Sequence, residues 1–122
     1  MHELAVCQAL IAQVEVIAAE RAARVSKVHI SIGPLSGVEA QLIADAYPVA
    51  SAGTSAAGSD LAIEQAAVRV RCRSCTAESG VAPNRLLCGN CGSWQTDIIA
   101  GDECFLLRVE LLGGAVLGEA HV

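Results

Sequence analysis

The sequence is poor in aromatic residues: among 122 residues there are one tryptophan, one tyrosine and one phenylalanine. Hydrophobic residues still make up 53% of the chain, so we expect a core built from alanine, valine, leucine and isoleucine. The shortage also argues against a surface for single-stranded nucleic acid, on which bases stack against aromatic side chains.

Basic residues and long apolar runs are scarce as well. Eight lysines and arginines stand against thirteen carboxylates, and the resulting net charge of −5 argues against a general affinity for nucleic acid or anionic membranes. No stretch approaches the roughly 18 unbroken apolar residues of a membrane-spanning helix. The apolar start is not expected to be a signal peptide, because glutamates and glutamines interrupt it and the first basic residue is Arg21. We therefore expect a cytoplasmic protein.

Periodicity and capping signals predict two helices. Apolar residues recur at helical spacing from about Glu3 to Arg24, which predicts a long amphipathic helix. Its apolar stripe is expected to consist of Leu4, Cys7, Leu10, Ile11, Val14, Ile17 and Ala18. A second helix is expected to start near Gly37, with Ser36 as N-cap and Glu39 completing a capping box. Pro48 is expected to kink or stop this helix.

Alternating apolar and polar residues predict strands over about 26–32, 61–65 and 105–111, with a further extended piece at 67–71 and a loose tail at 113–122. The length suits one domain carrying a small insert. The simplest arrangement is an α+β fold with two helices packed on a small, about three-stranded sheet. We expect residues 1–68 and 104–122 to form this domain and residues 69–103 to form a four-cysteine insert.

Four of the six cysteines are spaced as CxxC, twelve residues, CxxC; they are Cys72, Cys75, Cys88 and Cys91. Two tight turns of this kind, facing each other, give the tetrahedral set of four sulfurs that Zn²⁺ prefers, as in a zinc ribbon. A set of four thiolates leaves no open position for water or substrate, which favours a structural role over zinc catalysis. Two disulfides, four unrelated core cysteines and an iron–sulfur cluster are the alternatives. Cys7 and Cys104 are expected to be ordinary structural residues.

The amino terminus, Met1-His2-Glu3, offers donors for a second metal ion. A free α-amine has a pKa near 8, so a metal can displace its proton at neutral pH. The Met1 nitrogen, the His2 amide nitrogen and His2 Nδ1 form adjoining chelate rings in one plane, a geometry that favours Ni²⁺ or Cu²⁺ over Zn²⁺. The Glu3 amide or carboxylate, or a group from elsewhere, can be the fourth donor. A solvated His2, with Glu3 as a favourable charge at a helix start, is the alternative.

Taken together, these features resemble the HypA/HybF family of nickel metallochaperones for the maturation of nickel–iron hydrogenase. The matching stretches are, in chain order, MHELAVCQAL, VSKVHISIGPLSGVE, an AGT turn followed by LAIE, CRSC, CGNCGS and GDECFLLRVEL. The resemblance implies a nickel site at His2 with Met1 N and Glu3 nearby. It also implies structural zinc at Cys72, Cys75, Cys88 and Cys91.

The resemblance further implies a metal carrier and not an enzyme. Its expected partners are a HypB-type GTPase that exchanges nickel with it, the large subunit of the hydrogenase and, in some bacteria, urease maturation proteins. The chain is expected to be a monomer or a homodimer without nucleic-acid or membrane partners. The alternative is a zinc-ribbon module that binds nucleic acid or serves as an adaptor without nickel, because Arg69, Arg71, Arg73 and Arg85 give the insert a basic edge.

Overall fold

The structure, a computed structural model, describes residues 3–113 and the strand residues 116–117 and 120–121. Over these residues the chain forms two helices, α1 (Glu3–Glu20) and α2 (Ala40–Ser51). The strands are β1 (Val25–Ile32), β2 (Asp60–Gln65), β3 (Val68–Cys72), β4 (Glu78–Val81), β5 (Thr96–Ala100), β6 (Cys104–Leu111), β7 (Val116–Leu117) and β8 (Ala120–His121). Neither described helix has the length and apolar character needed to span a membrane.

The chain divides into two compact units. The helical unit consists of Met1–Ser31, Val38–Glu64 and Cys104–Val122, and the cysteine unit consists of Ile32–Gly37 and Gln65–Glu103. The predicted class, an α+β fold with two helices, a small sheet and a four-cysteine subdomain, is confirmed.

The main sheet has five strands in the order β2-β1-β6-β7, and β8 also pairs with β6. Both short strands run antiparallel to β6, with Leu117 opposite Val109 and His121 opposite Phe105. The prediction of a loose tail after residue 112 is therefore wrong for these strands, and the sheet is larger than about three strands. A strand of two residues is too short to show an alternating sequence pattern. The two short strands nevertheless pair with hydrogen-bonding groups of β6 that would otherwise form an open sheet edge.

At the start of helix α1, the buried residue differs from the one that the apolar periodicity predicts. Cys7, Leu10, Ile11, Val14 and Ala18 are buried as predicted, and α1 packs against α2. Leu4, in contrast, is 45% exposed, whereas Glu3 is only 7% exposed. The Glu3 side chain lies beside the backbone of Glu39, the N-cap residue of α2. At its first turn, α1 therefore buries Glu3 in place of Leu4.

The end of α1 and the start of α2 also differ from the prediction. α1 stops at Glu20, because Ala22 takes a φ of 47° and the Ala23 N–H bonds back to the Ala18 carbonyl at 3.1 Å. This bonding pattern closes the helix without a glycine.

The capping-box prediction for α2 is wrong. Gly37 has a φ of 78° and α2 starts only at Ala40, with Glu39 as an N-cap residue that makes no side-chain capping bond. The Ser36 hydroxyl instead donates to the Gly33 carbonyl at 2.7 Å, within the preceding turn. Pro48 lies inside the helix, which continues to Ser51, so it does not stop the helix.

The cysteine unit is built on an antiparallel sheet in the order β4-β3-β5. A close backbone contact holds the segment Ile32–Gly37 in this unit: the Gly33 N–H donates to the Glu103 carbonyl at 2.9 Å, and a Cβ on Gly33 would lie 2.3 Å from the Gly101 carbonyl oxygen. Gly101 itself has a φ of 102°, which favours glycine. No larger residue fits at Gly33 without a backbone shift.

Candidate metal centres

The four predicted zinc ligands come together in the cysteine unit. Cys72 ends β3, Cys75 lies in the turn that follows, and Cys88 and Cys91 form a second turn before β5. Their four Sγ atoms all lie within 4.8 Å of one another. The Cys72–Cys91 and Cys75–Cys88 sulfur pairs are 3.6 and 3.5 Å apart, respectively.

These distances fit a zinc ion better than a disulfide. All four cysteines are free, and a disulfide requires sulfurs about 2.05 Å apart. A tetrahedral zinc with Zn–S bonds of about 2.3 Å places its sulfurs about 3.8 Å from one another, close to the spacing seen here. Among the described residues, this is the one group of three or more histidine, cysteine or carboxylate side chains close enough to hold a metal.

Both turns are built in the same way. Cys72 Sγ accepts hydrogen bonds from the backbone N–H groups of Ser74 and Cys75 at 3.3 and 3.4 Å. Cys88 Sγ accepts the equivalent bonds from Asn90 and Cys91 at 3.3 and 3.4 Å. Two such donors on one sulfur stabilise a thiolate, the form that binds metal.

Each turn then closes with a residue of positive φ. Thr76 and Gly92 have φ values of 63° and 77° and stand at equivalent positions after the two pairs. Their N–H groups donate to the carbonyls of the first cysteines, Cys72 and Cys88. The glycine at position 92 indicates a left-handed conformation in the sequence, because glycine adopts positive φ readily. The threonine at position 76 gives no such indication.

The electrostatics of the four thiols follow from these bonds. The Cys75 N–H does most to lower the pKa of the Cys72 thiol, to about 6. The Cys91 N–H likewise lowers the pKa of Cys88. For Cys91, the Ser93 N–H favours the thiolate, but the Cys72 sulfur, burial and the other thiols outweigh it and raise the pKa to about 11. The first cysteine of each turn therefore has a lowered pKa, which favours the thiolate that a metal binds.

Polar side chains next to the cluster were not singled out by sequence reasoning. The Asn90 side chain donates to Cys75 Sγ at 3.6 Å, and the Ser74 hydroxyl lies 3.5 Å from that of Ser93. Contacts of this kind orient metal ligands. These residues lie between or beside the cysteines of each CxxC pair. The spacing of the cysteines alone does not show which polar residue at these positions contacts the cluster.

Two of the predicted nickel donors, Met1 and His2, lie outside the described residues. Glu3 is described, and its side chain is buried beside the backbone of Glu39. One helical turn later, burial and the neighbouring Glu3 carboxylate raise the pKa of the Cys7 thiol. Cys7 Sγ donates to the Ile43 carbonyl at 3.5 Å, so this cysteine is the core residue that its place on the apolar stripe predicts.

His29 is hydrogen-bonded. The residue is 8% exposed, and its ring contacts the Glu110 carboxylate on the neighbouring strand β6. This contact, above all other effects, lowers the pKa of Glu110. The pair links two neighbouring strands within the helical unit. The sequence alone does not identify Glu110 as the partner of His29, because it does not show the register of the strands.

Comparisons with known proteins agree with this arrangement. Residues 1–111 match the family model described as hydrogenase/urease nickel incorporation, metallochaperone, HypA. The chain is 50% identical over 113 residues to hydrogenase maturation factor HypA of Nitrosospira multiformis, covering 92% of this chain and 98% of that protein. It is 39% identical over 112 residues to HypA of Aquifex aeolicus, covering 91% and 97% of the two chains.

The fold matches a solved structure as well. The solution structure of the Ni metallochaperone HypA from Helicobacter pylori superposes with a TM-score of 0.70 and 28% identity, over 92% of this chain and 98% of that chain. The match covers both the helical unit and the cysteine unit, in sequence and in fold. The chain belongs to the HypA family.

Proposed function

We propose that this protein is a nickel metallochaperone, which binds Ni²⁺ at its amino terminus and delivers it during the maturation of nickel–iron hydrogenase. The observation that carries the proposal is the four-sulfur cluster in a chain that matches the HypA family over residues 1–111 and begins with Met1-His2-Glu3. The cluster itself is closed, so cargo binding is assigned to the terminus.

In this proposal the nickel donors are Met1 N, the His2 amide nitrogen and Nδ1, and Glu3. The burial of Glu3 beside the backbone of Glu39 supports the assignment, because it places the first turn of α1 next to the start of α2. The donors therefore lie at the start of a packed helix. A terminal chelate also suits a carrier, since its donors can be replaced one at a time when the metal moves to a partner.

We assign the zinc to Cys72, Cys75, Cys88 and Cys91. In this proposal residues 69–103 form the zinc-binding domain, and residues 1–68 and 104–122 form the nickel-binding domain. The sulfur spacing and the paired N–H donors support a resident Zn²⁺ with a structural role. A closed set of four thiolates offers no position for a reacting water, so we propose no catalytic activity.

Family membership supports the proposed partners. These are a HypB-type GTPase that exchanges nickel with this chain, the hydrogenase large subunit as recipient and, in some bacteria, urease maturation proteins. We assign the protein to the cytoplasm, as a monomer or homodimer.

The proposal is tested by loading the full chain with zinc, equilibrating it with Ni²⁺, removing free metal and measuring both metals. The expected content is one nickel and one zinc per chain. His2→Ala should lose the nickel and keep the zinc, whereas His121→Ala, which removes an imidazole far along the sequence, should keep both. A residue added before Met1 should also remove nickel, because it replaces the free amine.

Two outcomes would overturn the proposal. A wild-type chain that retains zinc alone would indicate an adaptor without a nickel role. Full nickel content in His2→Ala would place the cargo site elsewhere in the chain.

A further inference from the structure

A cavity in the cysteine unit is not used by either proposed metal site. It has a volume of about 310 Å³ and lies between β4 and the second cysteine turn. Its wall is formed largely by Val81, Ala82 and Leu87, with Gly80 and Gly89 beside them. The volume is at the lower end of the range for ligand pockets, enough for one side chain or a small molecule.

Apart from the sulfur of Cys88, the charged group that lines this cavity is positive. This group is Arg85, and no carboxylate among the described residues lines the cavity. A second arginine, Arg69, stands opposite Gly80 in the β3–β4 register, and its guanidinium lies 3.8 Å from the position that a Cβ on Gly80 would occupy. Two guanidinium groups therefore lie in or beside one small cavity.

Neither of these two arginines is neutralised by a partner within the described part of the chain. The other two arginines of the cysteine unit are paired: Arg71 with Glu78 and Arg73 with Asp97, each at 2.6 Å. Those pairs use carboxylates on β4 and β5, the two strands that flank β3, and Arg69 acts on Glu78 only through its longer-range field. Arg69 and Arg85 thus keep their donors for a ligand.

We propose that this cavity binds a carboxylate from an acidic side chain of a protein partner. A guanidinium presents paired N–H donors that match the two oxygens of a carboxylate. The aliphatic wall of Val81, Ala82 and Leu87 suits the methylene stem of such a side chain, whereas inorganic phosphate has no apolar part to place there. This role is separate from nickel carriage and adds a docking site on the cysteine unit.

The cluster of thiolates next to the cavity opposes this attraction, but it presents little surface to the cavity. Cys88 is the one cluster member in the cavity lining, and it is only 4% exposed. Its sulfur accepts two backbone N–H bonds from within its own turn, which offset part of its negative charge.

The test is an NMR titration of the zinc-loaded, ¹⁵N-labelled full chain at constant ionic strength. The probes are N-acetylglutamate methylamide, which supplies a carboxylate on a short stem, and inorganic phosphate. We expect the carboxylate probe to cause saturable shifts at the Arg85 Nε–H and at the amides of Gly80 and Gly89. Arg85→Gln should weaken this binding by about tenfold, the effect of losing one charge-assisted hydrogen bond.

Arg21→Gln is the matched control, since it removes the same charge from an exposed residue just after α1 in the other unit. It should leave the affinity unchanged. Arg69→Gln should weaken binding in the same direction as Arg85→Gln. Linear, unsaturable shifts, equal weakening by Arg21→Gln, or saturable binding of phosphate but not of the carboxylate probe would each overturn the proposal.

Discussion

Removal of zinc is expected to unfold the cysteine unit and to leave the helical unit folded. Apart from Cys72 and Cys88, the buried apolar side chains described in the cysteine unit are Ile32, Val68 and Val70. Burying three aliphatic side chains stabilises a fold by roughly 5–9 kcal/mol. Structural zinc contributes on the order of 10–16 kcal/mol in small finger peptides. The metal therefore outweighs the apolar core of this unit.

Amide hydrogen exchange before and after chelation measures this effect residue by residue. In the cysteine unit the reporters are the N–H groups of Cys72 and Cys88, each 2.9 Å from its acceptor carbonyl. In the helical unit they are the N–H groups of Val25 and Ile43, at 2.9 and 3.1 Å. Chelation should abolish protection of the first pair and preserve that of the second pair.

Two cysteine variants separate the metal effect from a general loss of stability. Cys88→Ser should reproduce the effect of chelation, because it removes one of the four sulfurs. Cys104→Ser, which lies outside the cluster, should keep zinc and normal exchange. Protection of Cys72 and Cys88 that survives complete zinc removal would refute the reasoning.

Two further predictions concern stability. Gly33→Ala should lower the free energy of unfolding by about 2 kcal/mol or more, because its Cβ would lie 2.3 Å from a backbone oxygen. Gly80→Ala, whose Cβ would meet its first neighbour at 3.8 Å, should be near neutral in the same denaturant titrations. The pKa of Glu110 is lowered on folding, chiefly by His29, so its stabilising contribution is present above the unfolded pKa of about 4.3 and is lost as the pH falls through the folded value. Glu110→Gln should therefore be less stable than the wild type near pH 7 and equally stable in acid, and a difference that does not change with pH would contradict this.

The sequence was sufficient to predict the elements that depend on local pattern. Periodicity predicts helix α1 and strands β1 and β6, because the apolar residues of one buried face recur at a fixed interval along the chain. The spacing of the two CxxC pairs predicts the cysteine cluster. The prediction failed where one tertiary contact decided the outcome. Glu3 is buried in place of Leu4 where α1 packs against α2, next to the backbone of Glu39, which is distant in sequence.

The strands β4 and β5 show a second reason why prediction falls short. Each spans four or five residues and pairs only with β3, so their conformation depends on the two cysteine turns that bring them alongside it. The same holds for β7 and β8, whose structure comes from pairing with β6. Spacing thus predicted the four clustered cysteines as a set, but it carried no information on Asn90 as a neighbour of their sulfurs. The basic edge predicted for the insert likewise did not show that Arg69 and Arg85 lie at one cavity.

The central claim is that the first residues of this chain hold nickel. Ni K-edge X-ray absorption of the zinc-loaded protein with one equivalent of Ni²⁺ tests it most directly. We predict a planar site rich in nitrogen with one imidazole, and loss of that imidazole signal in His2→Ala. A sulfur shell around nickel, which would place it in the cysteine cluster, or an imidazole signal unchanged in His2→Ala would contradict the account.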